Sequence, residues 1–213
     1  MTGADGRRRR LTAGGASALV LAATTVALGA STPGYDPWAE TISALGAPGR
    51  PHAVLARLST VAYGLLVAAA AGPLAALVDG RGRGRVVSGA VLTFGGAGVV
   101  AGLAPKDPLA AHAPMSQVHV AATVVGGAVI LLAMALVACL SPSPRIRWTS
   151  SGGVLSAAAL AAAFPTLWGA PVYGLVERAL VAIPALWLSG LALHVARREA
   201  EPRRVGAAAM MAG

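Results

Sequence analysis

Charge is what this sequence has least of. Only 12% of its 213 residues are Asp, Glu, Lys or Arg, about half the roughly 25% of an average soluble domain. In its place 56% of the chain is hydrophobic and the mean hydropathy is +0.69. The apolar residues gather in blocks close to the ~20 residues a spanning helix needs, which points to an integral membrane protein rather than a soluble one. Cysteine occurs once, at Cys139. It can make no intrachain disulfide, and in its apolar block it reads as a small core hydrophobe. Lysine also occurs once, as Lys106, the other sixteen basic residues being arginine. With abundant Ala and Gly, that bias suggests a GC-rich bacterial genome. The chain has no Gly-x-x-x-x-Gly-Lys run to cradle a nucleotide phosphate. It also has no stretch between blocks long enough to fold separately, so it reads as one domain.

Six apolar blocks are present: Leu11–Ala30, Leu58–Val78, Val86–Ala104, Gln117–Leu140, Trp148–Trp168 and Glu177–Ala196. They predict an all-α polytopic fold, a bundle of six transmembrane helices over residues 11–196. A basic segment, residues 1–10, precedes the bundle, and a basic tail, residues 197–213, follows it, its last residues reading as disordered. A basic start followed by an apolar block also describes a secretory signal. At about twenty residues, however, the first block exceeds the usual ~7–15-residue signal core and reads as a retained helix. Within it, Ser17, Thr24 and Thr25 can bond to carbonyls one turn back. Gly98 and Gly102 have the small-xxx-small spacing of close helix approach. The tryptophans flanking the fifth block read as interfacial anchors.

The net charge is +9, yet the basic residues stand in short clusters between apolar blocks, a pattern of membrane orientation rather than of nucleic-acid binding. With six spans both termini share a side. Thirteen basic residues lie there, in Arg7–Arg10, Arg81, Arg83, Arg85, Arg145, Arg147, Arg197, Arg198, Arg203 and Arg204, against Arg50, Arg57, Lys106 and Arg178 on the other. This asymmetry predicts cytoplasmic termini in a bacterial plasma membrane. Asp36, Glu40, Asp107, Glu177, His52, His112 and His119 then fall at or near the outer face, where any chemistry is to be sought.

The longest polar stretch outside the blocks is Gly34–Gly46. In it, Gly34-Tyr35-Asp36-Pro37 followed by Ile42-Ser43-Ala44-Leu45-Gly46 resembles the first-loop signature of a bacterial membrane family named domain of unknown function 998. His119-Val120-Ala121-Ala122 is similar to its second signature, and Gly174-Leu175-Val176-Glu177-Arg178, with Trp187 beyond, to its third. One departure is Ala104 before Pro105, where the family pattern leads to an aromatic residue. The resemblance runs from about Leu11 to Ala196 and implies six spanning helices without an established activity. A faint internal repeat, Asp36-Pro37 in the first loop and Asp107-Pro108 in the second, hints at duplicated hairpins.

The outer residues admit several chemistries. His112 and His119 are seven apart and share a face if the fourth helix begins before His112; with Asp107 and Glu177 they offer zinc-type ligands. No compact His-Glu-x-x-His motif supports that, and the alternative is that His119 bonds to a neighbouring loop carbonyl. Ser43 with a histidine and an aspartate supplies the parts of a nucleophile and base, but no Gly-x-Ser-x-Gly elbow surrounds it. Its hydroxyl and that of Thr41 are expected to cap a short turn. Glu177 and Arg178 each need a partner below the headgroups, where an uncompensated charge costs at least ~2.5–3.5 kcal/mol at mid-membrane. Asp36, the expected first choice, Glu40 or Asp107 can take Arg178; His119 or loop amides can take Glu177. The central parts of all six blocks lack charge, which disfavours an ion-coupled carrier.

The expected function is therefore that of a non-enzymatic membrane protein. Its outer cluster of Tyr35, Asp36, Glu40, Ser43, Asp107, His119, Glu177 and Arg178 is structural or binds a lipid headgroup or small ligand. The alternative is a membrane-embedded lipid hydrolase using Ser43, Asp107, His112 or His119, with His112 and His119 as the candidate metal ligands. No cofactor is predicted, membrane lipids are the expected partners, and nucleic acid is not among them.

Overall fold

All six blocks are long helices in the computed structural model of the chain, which describes residues 3–107 and 109–211, with side chains for 5–107 and 109–197. They are α1 (Gly3–Ser31), α2 (Ala53–Leu74), α3 (Arg81–Leu103), α4 (Pro114–Leu140), α5 (Pro144–Ala163) and α6 (Tyr173–Met211). Short 3₁₀ turns cover Ile42–Gly46, Ala75–Leu77 and Phe164–Leu167, and no strand occurs among the described residues. Each helix has a stretch long and apolar enough to cross a membrane, as befits a multi-pass integral membrane protein. In α6 that stretch is Tyr173–Arg197. The helix itself continues through the basic tail to Met211; residues 212 and 213 lie outside the described residues.

Local chemistry explains where the helices begin and end. Pro114 and Pro144 open α4 and α5, where the missing N–H has no intrahelical partner to lose. After α1, Pro33 cannot continue the helical ladder, and Gly34 takes a positive φ of 71° that turns the chain into the first loop. In α1, Ser17 Oγ donates to Gly14 O at 2.7 Å and Thr24 Oγ1 to Val20 O at 2.7 Å, so these hydroxyls are satisfied inside their own helix.

The helices pack in chain order, α1 on α2, α2 on α3 and so on, and α1 closes the ring against α6. Between α2 and α3 the backbones touch. A Cβ at Gly64 would lie 2.5 Å from Gly95 O, one at Gly95 2.6 Å from Gly64 O, and one at Gly102 2.8 Å from Arg57 O. In lipid, where apolar burial between helices gains little, such close van der Waals contact holds helices together. The small residues expected at Gly98 and Gly102 belong to this seam, with Gly95 and Gly64 added. The main core lies inside the ring around Val67, Leu74, Val91, Met134 and Val137.

Cys139 departs from expectation: it is exposed on the outside of α4, an apolar residue on the bundle's rim rather than in its core. The repeated Asp-Pro pairs have a local cause. Asp36 Oδ1 accepts from Trp38 N at 2.8 Å, and Asp107 Oδ1 from Leu109 N at 2.9 Å. Each is an Asx turn, the usual job of aspartate in a loop. The polar loops gather at one end of the bundle, tied by contacts of Ile42 with Glu177 and of Lys106 with Trp168; the arginine clusters that open α3 and α5 lie at the other.

Candidate functional site

α6 begins at Tyr173, a turn before the expected start, so Glu177 and Arg178 sit in its second turn. Adjacent helical residues point about 100° apart, and the two charges reach different parts of the first loop. Arg178 Nη1 donates to Glu40 O and Gly174 O, both at 2.8 Å, and Nη2 donates to the Tyr35 hydroxyl. Glu177 Oε2 accepts from the Ile42 N–H, and the Ser43 amide also faces that carboxylate. Leu175 N donates to Trp38 O at 3.0 Å. At Gly174 the loop lies against the helix itself: a Cβ there would be 2.2 Å from Glu40 O. Residues 174–178 thus grip the backbone of residues 38–43.

Unpaired backbone groups explain why a Glu-Arg pair suits this place. The 3₁₀ turn Ile42–Gly46 starts with amides that have no partner within the turn. Thr41 occupies its N-cap position but makes no capping bond; its hydroxyl pairs with Ser43 Oγ at 3.0 Å instead. The cap therefore comes from Glu177, whose negative charge also suits the positive end of the turn. Just before it, the Glu40 carbonyl receives the Arg178 guanidinium. Tyr35 completes the clip: its ring is buried and its hydroxyl donates to Thr41 O at 3.0 Å while accepting from Arg178. Burial pushes that hydroxyl above its ordinary pKa, with Arg178 pulling part of the way back. It stays protonated and keeps donating.

Asp36, the expected partner of Arg178, is exposed and spends its carboxylate on its own Asx turn. Glu40 meets Arg178 through its backbone; its side chain accepts from Asp36 N at 3.1 Å and pairs with Arg50. Asp107 stays in the second loop, its amide donating to Ser116 Oγ at 3.0 Å. His112 precedes α4, which begins at Pro114, so it shares no helix face with His119 and is exposed. His119 Nδ1 lies 2.9 Å from both Ala101 O and Ala104 O. Carbonyls only accept, so Nδ1 carries the proton. Among the described residues, no three or more His, Cys, Asp and Glu side chains are grouped to hold a metal ion.

Beside the clip is a cavity of about 30 Å³ lined by Ser43, Arg57, Thr60, Lys106 and His119. A water needs ~10–15 Å³ of such space, so the cavity has room for about two waters. Sequence reasoning missed three participants here. Arg50 holds Glu40, Lys106 lies 5.6 Å from the centre of the Trp168 ring, and the stem of Arg57 packs on Gly46. All three are basic residues on the side where basic residues are rare, which was the available signal.

No curated protein and no solved structure matches the chain. Residues 15–194, which reach into all six spans and include both halves of the clip, match the family described as "Protein of unknown function (DUF998)", and the chain belongs to that family.

Proposed function

We propose that this protein is a non-enzymatic, multi-pass component of the bacterial plasma membrane with both termini in the cytoplasm. Its loop end faces outward and is closed by the Tyr35–Glu177–Arg178 clip, and membrane lipids are its partners. One observation carries the reading: Glu177 and Arg178 direct their hydrogen bonds to the protein's own first loop. A charged pair kept for a ligand leaves its donors and acceptors open to it. The orientation rests on the basic asymmetry of thirteen against four. The hydrolase alternative needs a base poised on a nucleophile. Among the described residues Ser43 Oγ is paired with Thr41, and His119, held through Nδ1 by two carbonyls, makes no hydrogen bond to it, so structural closure is the better supported.

The test is thermal unfolding of ligand-free protein in detergent. Charge-assisted hydrogen bonds are worth ~1.5–3 kcal/mol each, so Arg178→Gln and Glu177→Gln should each destabilise by roughly 3 kcal/mol. Residues held strained for binding or catalysis do the reverse, and their removal commonly stabilises the empty protein. Unchanged or raised stability in both variants would overturn the structural reading.

A further inference from the structure

α5 is the helix least enclosed by protein: 11% of its most apolar stretch is buried, against 44% in α2 and in α6. Between α5 and α6 runs a groove of about 550 Å³, confined to the arginine half of the pair. Toward the loop end the two helices are closed by aromatic rings, Phe164 stacking on Tyr173 at 4.4 Å and Trp168 meeting Tyr173 at 5.2 Å. On the groove's lining, Trp187 is buried and its Nε1 donates to Ser150 Oγ at 2.9 Å, joining the two helices. Ile183, Leu186 and Gly190 also line it, Leu186 being exposed. At its open end stand Arg145 and Arg197, both exposed.

Dimensions and charge select the occupant. From Ile183 to Arg197 the helix rises about 21 Å at ~1.5 Å per residue. One leaflet of a ~30 Å hydrocarbon core is about 15 Å deep, so a groove starting beside Ile183 in the hydrocarbon ends with the arginines at headgroup level. Trp148, exposed on α5 one turn from Arg145, marks the interface there as tryptophans do. Arg145 and Arg197 make no side-chain hydrogen bond or ion pair among the described residues. Two cations above an apolar channel match an anionic headgroup above an acyl chain. We infer that this groove holds one anionic phospholipid, its phosphate between Arg145 and Arg197 and an acyl chain along Ile183, Leu186 and Gly190. This holds whichever way the protein faces and does not rest on the clip.

Native mass spectrometry of detergent-purified protein, titrated with phosphatidylglycerol or phosphatidylcholine, reads the site directly. Wild-type protein should retain one phosphatidylglycerol in preference to phosphatidylcholine. The Arg145→Gln/Arg197→Gln variant should bind phosphatidylglycerol roughly 25-fold more weakly, each arginine near an anionic surface being worth about fivefold. Arg83→Gln/Arg85→Gln, at the same end but away from the groove, should leave binding unchanged. Gly190→Leu fills the channel without touching its charge, and it faces open space where a Cβ meets nothing within 4 Å. It should lose the retained lipid while folding normally. Equal affinity for the two lipids, or retention unaffected by the arginine pair and by Gly190→Leu, would overturn the inference. So would a lipid-free dimer that buries α5.

Discussion

At the arginine end, thirteen basic residues stand near the starts of α1, α3 and α5 and along the extension of α6, and Arg8, Arg9, Arg83 and Arg85 stand exposed. At the loop end there are only four, and each has a specific place: Arg50 on Glu40, Arg178 on Tyr35 and the Glu40 carbonyl, Lys106 over Trp168, Arg57 along the cavity against Gly46. Under the proposed orientation the first group acts by number, since orientation depends on how many cations lie on a side and not on what they touch, while Arg7 donates to Pro73 O and Arg147 to Ala138 O. The second group works against that bias and is held by contacts. Cations on the minority side of a membrane protein are therefore the ones whose partners are worth finding.

Orientation separates the two ends most sharply. In a Cys139→Ser background, Pro48→Cys and Ala110→Cys, both at exposed loop-end positions, should label from outside intact cells. Gly82→Cys, equally exposed at the arginine end, should not. Outside labelling at residue 82 would reverse the assignment of the two faces. A smaller, energetic effect is expected at Gly174. The Cβ of Gly174→Ala would meet a backbone carbonyl at 2.2 Å, so the loop must lift. Unfolding should show a loss of about 1–3 kcal/mol, the range of overpacking in a tight site; no loss would mean that loop and helix are not in contact. The smallest effect belongs to Asp36→Asn. An asparagine carbonyl can accept the same Asx-turn bond from Trp38, so stability should change by less than about 0.5 kcal/mol. A loss of several kcal/mol would restore Asp36 as the partner of Arg178.

The fold was legible because membrane spans are written in composition. Each of the six blocks overlaps its helix, and the errors are at the ends: every helix starts before its apolar run does, and α6 continues past its run to Met211. The site was legible only in part. Glu177 and Arg178 stand out as charges at the edge of an apolar block, and the physics of burial demands partners for them. Sequence named loop amides among the candidates for Glu177 but could not say which, and it named no carbonyl for Arg178: every residue has an N–H and a C=O, so Ile42 and Glu40 carry no mark of the role. Asp36 attracted the pairing with Arg178 by charge alone, whereas the local geometry of Asp-Pro-Trp claims its carboxylate first. Of the readings open to His119, the structure shows the bond to carbonyls: in the first turns of α4 it lies beside those of Ala101 and Ala104, at the end of α3 where helix carbonyls lack intrahelical partners.

The clip itself is tested most directly by a double-mutant cycle on Tyr35 and Arg178, read by thermal unfolding in detergent. Tyr35→Phe keeps the buried ring and removes only the hydroxyl that accepts from Arg178; Arg178→Gln removes the donor. The two should couple, the double mutant losing less than the sum of the singles by on the order of 1 kcal/mol or more. Losses that add to within about 0.5 kcal/mol would mean that the first loop and the sixth helix are not joined through this pair, and the account of a closed loop end would fail.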